Sequence, residues 1–223
     1  MPAIFAFDFS MIKPAMCAYI DGKILFYVWS AHIDQNSRKG LEEHNIIVKD
    51  RGLEKISKMD LDESELILEH VTRAVNLADM ICSDIDYIVE LAGINKEDVI
   101  IANEGFAFAA KGDAVLDLSG YKYILMYALM QSGYKNFRTY SPIVIKSVAN
   151  CAKRGMTKDD VVKALGNEPS GIHDLIDTIR ENPGALKKKT SWLTCIDDLA
   201  DSYWCLRTTL KKENIDCKLN QNG

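Results

Sequence analysis

The residues of this chain best suited to chemistry are acids set among apolar neighbours. Asp198 and Asp201 lie in a largely apolar run that extends to Trp204. Residues three apart share one face of a helix, so both carboxylates would point the same way. Two like charges beside apolar side chains are costly unless a cation lies between them, and carboxylate oxygens suit Mg²⁺. The alternative is a helix whose acidic positions simply face water.

Two further acids stand at the ends of predicted strands. The apolar segment 4–9 carries Asp8 near its end, and Glu104 follows the apolar segment 99–102. Such runs suit strands that are buried on both faces of a central sheet. Neighbouring strand tips could hold these two acids side by side, with the helix of Asp198 and Asp201 packed across them. Three or four converging carboxylates predict the two-metal site of a phosphodiesterase.

The elements that would position these acids form a mixed α/β pattern. Hydrophobic periodicity predicts strands at 4–9, 15–20, 23–30, 99–102 and 137–140, and helices at 61–85, 114–130, 143–151, 158–165 and 195–212. Asp21-Gly22 between the second and third strands is a strong hairpin signal. The polar segment 31–60 is interpreted as a long loop. Three strands followed by alternating helices and strands predict a five-stranded mixed sheet with helices on both faces.

Composition limits the classes of protein to which the chain can belong. With 223 residues, 48% of them hydrophobic, the chain can bury a substantial core. It has no apolar run of membrane-spanning length, and a strand at its start predicts no signal or transit peptide. Its six cysteines form no C-x-x-C pair, which favours reduced thiols over zinc ligands or disulfides. These features predict a cytoplasmic protein.

Charge is unevenly distributed along the sequence. The net charge is −5, yet the segment 121–163 contains eight basic and two acidic residues, so its own charge is +6. A basic patch on an acidic protein is sufficient for phosphate contacts, which supply much of the affinity for nucleic acid. The alternative for any single lysine is a solvated helix surface.

Four segments, in order along the chain, resemble those of RuvC-type Holliday-junction resolvases, members of the RNase H-like nuclease superfamily. They are the strand with Asp8, the segment 103–111 with Glu104, the segments 141–146 and 153–161, and D-D-L-A-D-S at 197–202. The last is closer to fungal mitochondrial and poxvirus resolvases than to bacterial ones, and the divergence is compatible with a phage origin. The resemblance covers residues 1–29 and 99–210.

The resemblance implies an RNase H-like fold and a metal-dependent endonuclease. The fold would be a single domain over 1–223, with insertions near 31–98 and 166–190. The implied catalytic set is Asp8, Glu104, Lys146, Asp198 and Asp201, and its four acids would hold two Mg²⁺ ions, for which Mn²⁺ would substitute. The family hydrolyses a phosphodiester in line, leaving a 5′-phosphate and a 3′-hydroxyl. Lys146 would stabilise charge on the phosphate.

The implied substrate is branched DNA, a four-way junction, which a homodimer would nick in two opposed strands. The implied contacts to DNA come from Phe106, Phe108, Lys111, Lys153, Arg154 and Lys158. The family's aromatic wedge would fall at Ala107, so either flanking phenylalanine could stack on an unpaired base. The helix 114–130 is the expected dimer interface, and the alternative is a helix buried within the monomer.

Several alternatives stay open from the sequence. Asp197 is four residues before Asp201, so the metal pair could be Asp197 and Asp201 rather than Asp198 and Asp201. The same acids would serve a less selective nuclease acting on flaps, branched DNA or RNA–DNA hybrids. Sugar and acetate kinases share a related fold, but the chain lacks their glycine-rich phosphate-binding turns. A catalytically silent DNA-binding module would not need the complete set of acids.

Overall fold

The structure is a computed structural model that describes residues 2–10, 12–30, 33–51, 61–105, 113–153, 155–168 and 195–215. Its strands are β1 (Ile4–Asp8), β2 (Ala15–Ile20), β3 (Lys23–Ser30), β4 (Ile46–Asp50), β5 (Ile100–Glu104) and β6 (Asn136–Tyr140). Its α-helices are α1 (Gln35–Glu43), α2 (Glu63–Leu91), α3 (Asp113–Gln131), α4 (Pro142–Val148), α5 (Lys158–Ala164) and α6 (Ile196–Lys212). Across these ranges, no helix is long and apolar enough to cross a membrane.

The strands form one sheet in the order β4-β3-β2-β1-β5-β6. β1, β2 and β3 are an antiparallel meander, whereas β4 runs parallel to β3, β5 to β1 and β6 to β5. The predicted hairpin turns through Asp21 and Gly22, whose φ angles of 49° and 81° are the positive values that a tight hairpin turn requires. An antiparallel meander continued by parallel strands confirms the predicted mixed sheet, which has six strands rather than the predicted five.

Helices cover both faces of this sheet, as predicted. Side chains alternate along a strand, so Phe5 and Phe7 of β1 pack into a core with α2 and α3. Ile4 and Ala6 point to the opposite face and pack into a core with α6. α4 and α5 lie against α6 on this second face. The two acids expected at the strand tips therefore have a helix-covered surface on either side.

The predicted loop over 31–60 is wrong in part, because it contains α1 and a sixth strand, β4. α1 buries only Ser37 and Leu41, so too few apolar residues recur to give a helical period. β4 extends the sheet beyond β3, beginning after Asn45, whose φ is 59°. α2 starts at an Asp62 capping box and continues to Leu91, past the expected end at residue 85.

Candidate functional site

Asp8 and Glu104 lie at the ends of the two central parallel strands. The register of β1 and β5 pairs Phe7 with Asn103, so the two acids are the next residues on adjacent strands. Adjacent strands are about 4.8 Å apart, and residues in parallel register point to the same face. Ala6 and Ala102, two positions earlier, both belong to the core beneath α6. The two carboxylates therefore project toward α6.

α6 supplies the other predicted acids. Its apolar positions, including Leu199 and Tyr203, are fully buried against the sheet, which fixes the rotation of the helix about its axis. Tyr203 stacks on Phe26 of β3 with ring centroids 6.3 Å apart, and the Trp204 indole donates to the Val161 carbonyl at 3.0 Å. With that face docked, the first turns of α6 bring Asp198 and Asp201 to the tips of β1 and β5.

The four carboxylates lie within one another's electrostatic field. Burial, followed by the charges of Asp198, Asp201 and Glu104, raises the pKa of Asp8 well above its ordinary value. Burial and the charge of Asp201 raise the pKa of Glu104 to about 7. Burial raises the pKa of Asp198 to about 7 and that of Asp201 to about 6, and the charge of Asp197 acts in the same direction on both. The structure thus brings the four predicted acids together in a cluster with an excess of negative charge.

The carboxylate of Asp197, the alternative to Asp198 as a metal ligand, is paired with Lys158 of α5. One of its carboxylate oxygens accepts a hydrogen bond from the Lys158 ammonium at 2.9 Å. Its other oxygen, Oδ1, is buried without a hydrogen-bond partner in the described part of the chain. After burial, the charge of Asp198 is the largest cause of the raised pKa of Asp8. The geometry therefore favours Asp198 as the acid that faces the strand tips.

The donor set suits a hard divalent cation, although its side chains are not gathered around one point. In the described ranges, no three His, Cys, Asp or Glu side chains form a group that could hold a metal ion. Carboxylates are nonetheless the ligands that Mg²⁺ prefers, and these four are partly buried with their repulsion only partly offset. A bound cation would offset that repulsion.

Two lysines border the cluster from the side of α4 and α5. Lys146, exposed on α4, lowers the pKa of both Glu104 and Asp201 by its charge. Burial alone would lower the pKa of Lys158, but its hydrogen bond to Asp197 and the charges of the nearby acids raise it instead. Lys158 is thus already engaged with the cluster, whereas Lys146 lies at its open side.

A third lysine, Lys122, lies behind the cluster, a position that was not predicted from the sequence. It comes from α3, is only 5% exposed, and donates a hydrogen bond from its ammonium to the backbone carbonyl of Glu104. Burial lowers its pKa, and the charges of Glu104 and Asp8 act in the opposite direction. The one sequence feature that could have indicated its burial is its place between Tyr121 and a long apolar run, where a solvated lysine is unusual.

The basic patch predicted over 121–163 is smaller than its composition suggests. Lys122 is buried, Lys135 pairs with Glu97 at 2.7 Å, and Arg138 pairs with Glu213 at 2.6 Å. Lys146 and Lys153 have no ion pair with any described residue. The other expected DNA contacts, namely Phe106, Phe108, Lys111 and Arg154, lie outside the described residues. The described part of the patch is therefore concentrated beside α4 and α5.

Comparison with known proteins gives similarity of structure but not of sequence. No protein-family model matches the chain. No curated protein matches it either. Among solved structures, Thermus thermophilus RuvC is similar at 10% identity and a TM-score of 0.45, with 93% of this chain and 96% of that chain covered. T. thermophilus RuvC in complex with a Holliday junction substrate is similar at 8% identity and a TM-score of 0.41, with the same coverage of both chains.

Proposed function

We propose that this chain is a metal-dependent, structure-selective endodeoxyribonuclease that resolves four-way DNA junctions. The observation that carries the proposal is the convergence of Asp8, Glu104, Asp198 and Asp201, from three separate elements, into one partly buried cluster of mutually repelling carboxylates. A fold does not retain such repulsion for stability, because buried like charges are costly. The resemblance of the motifs to those of RuvC-type resolvases suggests the reaction, which is hydrolysis of a phosphodiester in a DNA junction.

In this proposal the four acids hold two Mg²⁺ ions, and Mn²⁺ would substitute. The chemistry that such ions supply is activation of water at neutral pH and neutralisation of charge on the phosphate. Buried apolar residues of α6, such as Leu199 and Tyr203, keep Asp198 and Asp201 oriented toward the strand tips. Hydrolysis would leave a 5′-phosphate and a 3′-hydroxyl.

The lysines near the cluster would have two different roles, stabilising the transition state and binding phosphates. Lys146 is exposed at the open side of the cluster and would stabilise negative charge that develops on the scissile phosphate. Lys153 and Lys158 would bind flanking phosphates, with Lys158 held in place by Asp197. Lys111, Arg154 and one of Phe106 and Phe108 complete the proposed DNA contacts.

A homodimer would present two such sites to the two strands that must be cut. The surface that supports this is the exposed face of α3, which carries Tyr123, Tyr127 and Met130. Exposed aromatic residues on one helix face are typical of an interface. Leu125 of the same helix is buried in the core of its own chain, so that part of α3 is not available to a partner. A cytoplasmic location, and a single domain with insertions near 31–98 and 166–190, stay predictions.

Cleavage assays on matched substrates test the proposal. The purified protein is incubated with Mg²⁺ and either a four-way junction, a flap, an RNA–DNA hybrid or linear duplex of the same sequence. Paired nicks in the junction, absent in EDTA and with Glu104→Gln, are expected. Equal cutting of all four substrates would instead support the less selective nuclease, and no cutting of any of them would overturn the assignment.

A further inference from the structure

The described residues between α4 and α5, 149–153 and 155–157, form a cup. Asn150, with φ of 58°, follows the end of α4, and the Cys151 amide donates to the Lys146 carbonyl at 2.8 Å. Gly155, with φ of 93°, adopts a conformation that side-chain-bearing residues rarely take. Thr157 and Asp160 form a capping box that begins α5. Local hydrogen bonds therefore stabilise the described parts of this connection on either side of residue 154.

The cup contains a cavity of about 190 Å³. Six of the residues that line it carry the argument: Cys151 and Val161 at its buried floor, Ile143 and Met156 at its sides, and Lys146 and Lys153 among its polar residues. Ile143 is 59% exposed and Met156 is 42% exposed. Drug-sized ligands occupy pockets of roughly 300–1,000 Å³, so this cavity suits a smaller group.

The lining predicts the chemistry of the occupant. Exposed apolar side chains form the sides, which suits a flat apolar body, because dispersion and desolvation favour covering them. Among the residues that the structure describes, no acid lines the cavity and neither lysine forms an ion pair. The charge complement of such a cavity is an anion. A nucleotide, in which a flat ring is linked to a phosphate, has this combination of properties.

The position of the cavity ties it to the carboxylate cluster. Lys146 lines the cavity, and its charge also lowers the pKa of Glu104 and Asp201. A DNA strand with a phosphate at the cluster would therefore place a neighbouring nucleotide beside α4. We propose that this cavity receives one unstacked base of the strand being cut, held between Ile143 and Met156, with Lys153 on the adjacent phosphate. The inference rests on the proposed nuclease function and adds a base-binding subsite to it.

The test is a mutant cycle between protein and DNA, performed in EDTA so that binding is measured without cleavage. After the cut has been mapped, junctions are made with an abasic site at each flanking nucleotide in turn. One abasic position should weaken binding by the wild-type protein about tenfold, the loss of one stacked base. The same lesion should leave the affinity of Ile143→Ala and Met156→Ala nearly unchanged, because their subsite is already lost.

Ile67→Ala is the matched control, since Ile67 is 58% exposed on α2, away from the cavity. It should respond to the abasic site as the wild type does. An abasic penalty of the same size in the wild type and in both cavity variants would overturn the subsite while leaving the nuclease intact. Absence of junction binding and cutting by the wild type would overturn the proposed function, and the subsite with it.

Discussion

The Lys122 ammonium donates a hydrogen bond to the backbone carbonyl of Glu104, from the side of the sheet opposite to α6. Because the two faces are covered by different helices, this places a buried positive charge behind a carboxylate cluster that opens the other way. The cluster is thus partly balanced from within the protein, before any cation or substrate arrives.

Lys122→Met should therefore destabilise the protein more at pH 8 than at pH 5. The carboxylates near it are mostly ionised at the higher pH, so the attraction lost is larger there, while the unpaired Glu104 carbonyl costs about 1–3 kcal/mol at either pH. Urea unfolding in EDTA at both pH values measures this difference. Lys135→Met removes only an exposed ion pair with Glu97 and should change stability little. Equal losses at both pH values for Lys122→Met would rule out its interaction with the acids.

Glu104→Gln should make the metal-free protein more stable at pH 8. In the unfolded chain Glu104 ionises near its ordinary pKa of 4.5, whereas in the folded protein its pKa is about 7. The unfolded state therefore releases the proton first, and stability is lost as pH rises from 4.5 through 7. The gain from the amide should be about 1–3 kcal/mol at pH 8 and close to zero at pH 4. Thermal unfolding in EDTA across this range checks the sign, and a variant less stable than wild type at pH 8 would contradict it.

Asp198→Asn should abolish cleavage, as should Asp8→Asn and Asp201→Asn, while junction binding persists. Each change removes one proposed ligand charge and keeps the size of the side chain. Asp197→Asn should retain measurable cleavage and chiefly weaken binding, because its carboxylate holds Lys158. Single-turnover rates and affinities on the same junction separate the two outcomes. Wild-type cutting by Asp198→Asn together with a dead Asp197→Asn would reverse the assignment.

Lys146→Ala should slow single-turnover cleavage by at least about tenfold with little change in affinity, since it is proposed to act on charge in the transition state. Lys153→Ala is the comparison, because it is expected to weaken binding and to reduce its salt dependence, as the loss of one phosphate contact does. Rates at saturating protein and affinities at several salt concentrations distinguish them. The division of roles fails if both variants differ from wild type only in affinity.

Tyr127→Glu should convert a dimer to monomers without unfolding the chain. Tyr127 is 64% exposed on α3, so the charge would enter solvent in the monomer but a closed interface in the dimer. Tyr87→Glu is the matched control, since Tyr87 is 66% exposed on α2. Light scattering reports the mass of both variants, and circular dichroism reports their folding. A wild-type protein that is monomeric alone and on junction DNA would refute the dimer, although each chain would keep its own acids.

The sequence predicted the elements with strong periodicity and missed those without it. The apolar strand that ends in Asp8 and the T-x-x-D start of α5 were recognisable, because local chemistry alone determines them. β4 was not, since its apolar run is only three residues long, and α1 was not, since it buries only Ser37 and Leu41. Asp8 and Glu104 were expected side by side, because both end apolar strands of one sheet. The pairing of Asp197 with Lys158 was not expected, because it depends on how α5 packs against α6.

Lys122 illustrates the part of a site that a linear pattern does not contain. Lysine side chains are usually solvated, so Lys122 was predicted to belong to the basic patch over 121–163. Its burial depends on α3 packing over the far end of β5, a contact between elements that no local window includes. Leu125 shows the opposite case. It lies in the helix 114–130 that was expected to form a dimer interface, but it is buried in the core of its own chain.

Asp8 lies in the first strand of the sheet, whereas Asp198 and Asp201 lie in the last described helix. During synthesis on a ribosome, the acids of β1 and β5 leave the exit tunnel long before α6 does. A nascent or prematurely terminated chain therefore carries half of the carboxylate cluster and no means of completing it. Contacts between residues so distant in sequence are typical of slowly folding topologies. Any activity that needs all four acids, as proposed, therefore requires a chain that has been synthesised through α6.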